Sequence, residues 1–516
     1  MSDPTAEPAR RPGFITVNGG EPQRGLIPTD TVEGYGGRVV DLLFTGLYRY
    51  DADGVLVPEV ADTVTTEDNR RFLITLRPGW TFTDGTPVTA HSFVDAWNFG
   101  ALSTNRQAQR TAFAPIAGYP DVAARRPLGS TMSGLTVEDD LAFTVLLRRP
   151  RADFAARLAL LPFRPLPRAF FARGPEAFAE RPIGNGPYRP AGGAPWRNGS
   201  RIDLEAVPGY PGSDRARNAG ITFVSYPNLS DAFADVRRGN LDVLDIVPAD
   251  ALPGALDELG DRAIVRPVAL NKSLAIPQGL PHFGGEEGRL RRRAVSLSID
   301  RERITREVFH GTRRPARDFT AQVLPGFDAD LPGSEVLGHD PAAARSLWEE
   351  ADRIAAWEGV LSIAYNDHSG HEEWVAAVSR QIEASLGIEV TAAGYPTFRE
   401  IRDRAEAGTL RAAYRKGWRG EFPALLDFLE PVFTRGAASN DFGYASPAFD
   451  ALLSAAASAS DGAEARRLIG EAQSTLLRDL PVIPLWDYLN VSCRGDGVSV
   501  RIRWNGLPDY PHITKR

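Results

Sequence analysis

Twice in this sequence a strand, a capped helix and a second strand follow one another, and no other feature restricts the fold as much. In the first case Ile221–Tyr226 is an apolar run, Asn228 stands where it can cap a helix through Val236 that stops at Gly239, and Leu241, Val243, Leu244 and Ile246 resume as a strand. In the second, Leu361, Ile363 and Tyr365 alternate. The helix Glu372–Leu386 then carries Trp374, Val378 and Ile382 on one stripe and ends at Gly387, and Ile388–Val390 returns as a strand. Both read as βαβ units, whose parallel strands require a crossover helix. Two α/β units joined by extended crossovers place a ligand cleft where the strand ends of each sheet converge. A chain of 516 residues has room for this, since two or three globular units are expected at that length.

The flanking segments fit around these units. Phe14, Ile15 and Val17 form a short strand closed by the turn-rich Asn18–Pro22, and Val39, Val40, Leu42, Leu43 and Leu47 have helical spacing. Short strands follow on either side of the Asp51–Gly54 turn, then Phe72, Ile74 and Leu76 alternate. Thr89 is placed to cap a helix with Phe93, Ala96, Trp97 and Gly100 on one face. Thr136–Leu147 reads as a hairpin turning at Asp139-Asp140. Ile183–Tyr188 is a tight turn, and Pro187 and Pro190 forbid the helix that a dinucleotide fingerprint would need there. Helices are predicted around Leu290–Leu297, from Asp300 through Phe309, and over Ala465–Leu480, after which Pro481–Trp486 runs back as a buried strand.

The stretch Tyr414–Pro431 is unusual. Arg415 and Lys416 precede a Gly417-Trp418 step, Glu421 sits beside Phe422, and the run after Pro423 can start a buried helix. Two readings are open: a snorkelling surface Trp with a solvated Glu, or a site for something cationic and partly apolar.

Composition removes several function classes. Hydrophobic content of 43% and charged content of 24% are those of a soluble globular protein, and no run of about eighteen apolar residues could span a membrane. A net charge of -7 argues against a nucleic-acid partner. Lysine occurs only as Lys272, Lys416 and Lys515, which reads as base-composition bias. The single cysteine, Cys493, permits no intrachain disulfide and reads as a buried structural thiol. His368 and His371 with Glu372 and Glu373 lack a helical i, i+4 histidine pair, so no metal is expected. There is no G-x-S-x-G elbow and no Walker P-loop, and Arg494-Gly495-Asp496 reads as a solvated hairpin tip.

Taken in order, several motifs resemble the extracytoplasmic solute-binding proteins of family 5, the dipeptide- and oligopeptide-binding components of bacterial ABC importers. They are GWTFTDGTPVTAHSFVDAW (Gly79–Trp97), NGPY (Asn185–Tyr188), DAFADVRRGNLDV (Asp231–Val243), RRRAVSLSIDRERI (Arg291–Ile304), GW-x-x-E-F-P (Gly417–Pro423), YASPAFDALL (Tyr444–Leu453) and LPVIPLW. The resemblance covers residues 14 to 490. It implies an α/β, two-lobed periplasmic-binding-protein fold of the cluster C type, with an extra subdomain inserted in lobe I. Lobe I would comprise 13–47, 181–268 and 483–516, the inserted subdomain 48–180, and lobe II 269–482. The lobes of such proteins close over ligand by a hinge motion.

The same resemblance implies a binding protein rather than an enzyme, without cofactor or metal. It would be a monomer that holds a short peptide or peptide-like amine and presents it to an ABC permease and its ATPase subunits. The location would be extracytoplasmic, in the periplasm or lipid-anchored at the outer face of the membrane, with the export signal absent from this chain. At the family position whose acid pairs with a peptide α-amino group stands Glu421, followed by Phe422 in place of a tyrosine, with Trp418 as a packing wall. Arg415 and His371 match basic positions that meet peptide C-termini, with Tyr365 and Asn366 in the same segment. Glu21 falls in a first-strand loop that touches ligand backbone, and Asn271 follows Pro267-Val268-Ala269-Leu270, where oligopeptide binders carry tyrosines. Other family members bind oligosaccharides, opine-like molecules or nickel chelates, so a non-peptide ligand with the same transport role is the alternative.

Overall fold

A computed structural model describes residues 11–32, 34–192, 201–248, 251–367, 370–437 and 439–516. Its main sheet has eleven strands. In chain order they are β1 (Phe14–Gly19), β2 (Tyr188–Pro190), β3 (Arg201–Ala206), β4 (Gly220–Ser225), β5 (Val243–Leu244), β6 (Ala263–Ala275), β7 (Arg313–Pro315), β8 (Leu361–Asn366), β9 (Val390–Tyr395), β10 (Ala413–Lys416) and β11 (Val482–Arg494). Across the sheet they lie in the order β9-β8-β10-β6-β11-β5-β1-β4-β3-β2, with β7 also paired to β11.

Parallel pairing occurs at two places, where the expected βαβ units fall. Helix α1 (Leu229–Arg238) connects β4 to β5, both parallel to β1. Its ends follow the sequence: Asn228 Oδ1 accepts from the backbone N–H of Asp231, and Gly239 adopts the left-handed conformation at the C-terminus. Helix α2 (Glu372–Leu386) connects the parallel pair β8 and β9, and it too ends on a left-handed glycine, Gly387. Between the two parallel blocks run β6 and β11, thirteen residues each and antiparallel.

Three boundaries differ from the sequence reading, each for a local reason. β5 is two residues long rather than six, because Asn18 Oδ1 takes the N–H of Asp245 in place of a ladder partner. β9 spans Val390–Tyr395, not Ile388–Val390; it is the sheet's edge strand and largely exposed, so it carries no apolar run to mark it. The predicted strand Pro481–Trp486 continues to Arg494, because β5, β6 and β7 all pair along its polar second half. The tight turn at Ile183–Tyr188 is present, and Gly184 is required there. A Cβ on it would stand 1.8 Å from the Leu43 carbonyl oxygen at the end of the helix Gly34–Leu43.

A separate four-stranded antiparallel sheet, built from Ala61–Thr66, Arg71–Leu76, Leu135–Asp139 and Ala142–Leu146, shares one apolar core with β1 and β4. Other cores form under β8 and α2 and around helix α3 (Leu425–Phe433). Cys493 is buried in a further small core, and burial pushes its thiol up to about 12.

The segment 148–160 packs onto α3 and the helix Pro447–Ser458 through a four-residue ion network. Arg151 bonds Asp153 at 2.9 Å and Glu430 at 2.7 Å, Arg157 bonds the same two acids, and the Ala152 N–H donates to the Ala457 carbonyl at 2.7 Å. Burial alone would raise the Glu430 carboxyl. The Arg151 hydrogen bond and the Arg157 and Arg151 charges outweigh it and hold the group below its usual range. A depressed carboxylate contributes stability that is complete above its unfolded value and is lost as pH falls through the folded one. Glu430→Gln is therefore expected to lower stability at pH 7 by about 1–3 kcal/mol, between exposed and buried pair values. The deficit should shrink below about pH 4, and denaturant melts at pH 7 and pH 3.5 check both.

Candidate functional site

The candidate site forms where β6 and β11 part company. Their register is interrupted between Pro267 and Asn271, and the loop after β10 fills the gap. The Gly420 N–H donates to the Ala269 carbonyl at 2.8 Å, Leu270 bridges Arg419, and the Asn271 N–H donates to the Trp418 carbonyl at 3.0 Å. Gly417 makes this approach possible, since a Cβ there would lie 2.5 Å from the Asn271 carbonyl oxygen.

Asn271 is a clamp. Its Oδ1 accepts from the Trp418 N–H at 2.9 Å, and its Nδ2 donates to the carbonyls of Phe319 at 2.9 Å and Thr320 at 3.0 Å. The Trp418 indole, half-buried, donates to Asp427 Oδ2 at 3.4 Å, and the same oxygen accepts from the Glu421 N–H at 2.7 Å. Asp427 lies on α3 and is buried. The Glu421 side chain is reachable by water but hemmed by protein, and it borders two cavities. One, of about 400 Å³, includes Arg38, Arg419 and Tyr510; the other, of about 490 Å³, includes Arg151, Arg157 and Glu430. Burial raises the Glu421 carboxyl, partly opposed by Arg157; burial and then the Glu421 charge raise Asp427 well above its usual value. The pair thus keeps a proton at a higher pH than either carboxyl would alone. Phe422 is buried in the core, with the Arg157 guanidinium 5.2 Å from its ring centroid.

The other group lies beyond the ends of β8 and β10. Arg415 donates from Nε to Asn366 Oδ1 at 2.7 Å and stacks 3.6 Å above the Phe398 ring. Burial lowers its guanidinium to about 10. His371 precedes α2, and its Nδ1 accepts from the Trp374 indole N–H at 3.1 Å, which requires that nitrogen to be unprotonated. Burial, then the Lys272 and Arg415 charges, push the imidazole down to about 2. Tyr365 is buried, and desolvation raises its phenol.

The sequence puts Trp418, Glu421 and Phe422 in one stretch and names Asn271 apart from it; in the structure Asn271 holds the Trp418 N–H and joins them around one loop. The structure collects Arg415, His371, Asn366 and Tyr365 at the strand ends. Glu21 is exposed in the loop after β1 and lines neither cavity that Glu421 borders. His368 lies outside the described residues. Among the described residues Asp214, Asp509 and His512 form a compact acid–imidazole group, but Arg49 and Arg503 supply positive charge beside it. The sequence reading missed Asp427, Arg157, Lys272, Arg313 and Tyr488. A signal existed for one of them: Lys272 is a rare lysine, buried within β6.

A family model for bacterial extracellular solute-binding proteins, family 5 (Middle), matches residues 55–440, and the chain belongs to that family. It is 26% identical over 463 residues to the periplasmic oligopeptide-binding protein OppA of Escherichia coli K12, covering 87% of this chain and 82% of OppA. Among solved structures it resembles the E. coli murein tripeptide binding protein MppA, with a TM-score of 0.80, 22% identity, and coverage of 97% of this chain and 98% of that one. It also resembles Haemophilus influenzae OppA in complex with RPPGFSPFR, with a TM-score of 0.78, 22% identity, and coverage of 98% and 99%. The two-lobed binding-protein fold follows from these matches, and no helix among the described residues is long and apolar enough to cross a membrane.

The buried neutral imidazole has a pH signature. Its folded value lies below the ordinary 6.5, so below about pH 6.5 the unfolded chain takes up a proton that the folded one refuses, and stability falls with pH. His371→Gln removes that loss. The variant is expected to gain on the parent by at most about 1.4 kcal/mol per pH unit below 6.5, read as diverging melting temperatures between pH 7 and pH 4.5. Parallel curves would show that His371 titrates as an ordinary histidine.

Proposed function

We propose that this protein is the extracytoplasmic substrate-binding component of an ABC importer, holding an extended short peptide in an interlobe cleft and delivering it to a membrane permease. The observation that carries the reading is that the site residues fall into two groups of opposite charge: Glu421 and Asp427 meet at the loop after β10, and Arg415 lies on β10 with Lys272 and Arg313 near it. A peptide is a zwitterion whose two ends suit groups of opposite charge, and its main chain is readable without regard to side chains. Family membership and the names of the relatives, an oligopeptide-binding and a murein tripeptide-binding protein, support the same ligand class.

In this reading Glu421 pairs with the α-ammonium, Trp418 is the wall held by Asn271, and Arg415 receives the carboxylate end with Asn366 orienting it. His371 and Tyr365 shape that end, Phe422 supports Glu421 from the core, and Glu21 contacts the ligand only if closure brings its loop inward. Lobe I is 13–47, 181–268 and 483–516, with 48–180 inserted, and lobe II is 269–482. The change of β6 partners at residues 268–270 falls at this boundary and supports it. The protein acts as a monomer without catalysis, reaching the membrane through a lipid anchor and the permease with its ATPase subunits.

Glu421→Gln keeps shape and removes charge. Loss of one side of a desolvated charge pair costs about 2–5 kcal/mol, so peptide affinity is expected to fall roughly thirtyfold to several-thousandfold. Ligand-free stability should hold or rise, because Asp427 loses a repelling neighbour. An N-acetylated peptide should bind the parent equally poorly. In the parent, affinity should also drop as pH falls through the raised Glu421 value, since only the carboxylate pairs with ammonium. Titration calorimetry with free and acetylated trialanine tests this; equal affinities with a silent Glu421→Gln overturn the amine anchor.

A further inference from the structure

The basic group around Arg415 holds more positive charge than one carboxylate can answer. Lys272 on β6, Arg313 on β7 and Arg415 on β10 all face the phenol of Tyr488 on β11. The Arg313 guanidinium lies 3.7 Å from the Tyr488 ring centroid and Lys272 Nζ lies 6.0 Å from it. Lys272 is only 6% exposed. Among the described residues none of these three cations forms an ion pair with a carboxylate; the nearby acids are engaged elsewhere. Asp441 holds Lys416 at 2.6 Å, and Asp487 accepts from the Gln322 N–H at 3.1 Å. Arg313 Nε is buried without a hydrogen-bond partner, while its Nη1 donates to the Thr312 carbonyl at 2.6 Å and the Thr312 hydroxyl at 3.2 Å, both neutral acceptors. His371 is close enough to feel Lys272 and Arg415 and stays neutral, adding a polar wall and no counter-charge.

A buried cation without a partner is costly, and packing alone gives no reason to keep one. Arg313 stacked on a ring is stable by itself. Lys272, buried beside the Tyr488 ring and without a carboxylate partner among the described residues, is not neutralised. We propose that Lys272, Arg313 and Tyr488 form a second anion subsite beside Arg415, so that the preferred ligand carries two or more negative charges at its far end. On the peptide reading above, on which this inference rests, that ligand is a peptide ending in an acidic residue. Arg415 takes the terminal carboxylate, and Lys272 and Arg313 take the side-chain carboxylate. A phosphate or a polycarboxylate without a peptide backbone offers the same chemistry.

The test is titration calorimetry on the full chain with Ala-Ala-Glu against Ala-Ala-Gln, and with the dipeptide and tetrapeptide pairs ending in the same residues. The acidic member of at least one pair is expected to bind about ten- to a hundredfold tighter, the worth of charge-assisted hydrogen bonds. In Lys272→Met, and independently in Arg313→Met, the preference should fall below about threefold, a residual set by screened long-range attraction. Ligand-free Lys272→Met should melt no lower than the parent, because it loses an unpaired buried charge. Equal affinities within every pair, or a preference that survives both substitutions, overturns the subsite. If no peptide of any length binds, the peptide reading fails separately, and citrate decides the subsite. A melting-temperature rise with citrate in the parent and not in Lys272→Met upholds it, and no rise in the parent overturns it.

Discussion

The structure depends on a ladder that is interrupted once. β6 and β11 pair along most of their thirteen residues, and everything on either side is attached to them: the parallel block of β1, β4 and β5 through β11, the block of β8 and β9 through β10 and β6. Where the ladder slips, residues 268–270 of β6 would be left with unpaired backbone groups in a buried setting, which costs about as much as lost hydrogen bonds. Three neighbours fill the vacancy. The Ala269 N–H goes to the Trp504 carbonyl, its carbonyl receives Gly420, and Leu270 bridges Arg419. The loop carrying Glu421 is therefore held by main-chain bonds that β11 relinquishes, so the site is fixed by the same element that joins the two halves of the sheet.

Asn271 completes the arrangement with one side chain. An amide has two donors and an acceptor that can reach three directions at once, and here it reaches the Trp418 N–H and the carbonyls of Phe319 and Thr320. The 319–320 segment runs on to Gln322, which donates to Asp487 of β11. Trp418 and Glu421 then share Asp427 as a common acceptor, so the orientation of the acidic group follows from backbone geometry and not from a long flexible side chain.

Local chemistry made the two βαβ units legible in the sequence, because Asn228, Gly239 and Gly387 cap helices by rules that need only neighbouring residues. The Gly417-Trp418 step stands out in the sequence, and the structure gives the reason: a Cβ at Gly417 would meet the Asn271 carbonyl. The edge strand β9 and the second half of β11 were not legible, since one is exposed and the other polar, and periodicity reports burial only where residues are apolar. The cationic group was hidden for a different reason. Lys272, Arg313, Arg415 and Tyr488 come from four strands far apart in sequence, and only the sheet order brings them together. Asp427 carries no signal of its own within the apolar run after Pro423, because its role depends on a loop turning back over it.

On the proposed reading, the acidic group and the basic group each carry a cost in the ligand-free state. The Glu421 charge opposes that of the buried Asp427, and Lys272, Arg313 and Arg415 repel each other around one phenol. The acidic group is relieved only in part from within, because Arg157 favours the carboxylates but is already bound to Asp153 and Glu430. A molecule that brings a cation to one end and an anion to the other relieves both repulsions together, and its binding energy is then also stabilisation of the protein. Such a molecule favours the arrangement in which both ends contact it at once, which is the condition for a ligand to shift a two-lobed protein toward its closed form. On the proposed reading these charges would link recognition to closure: a ligand with only one of the two charges would leave the opposite repulsion in place and gain less from bringing the lobes together.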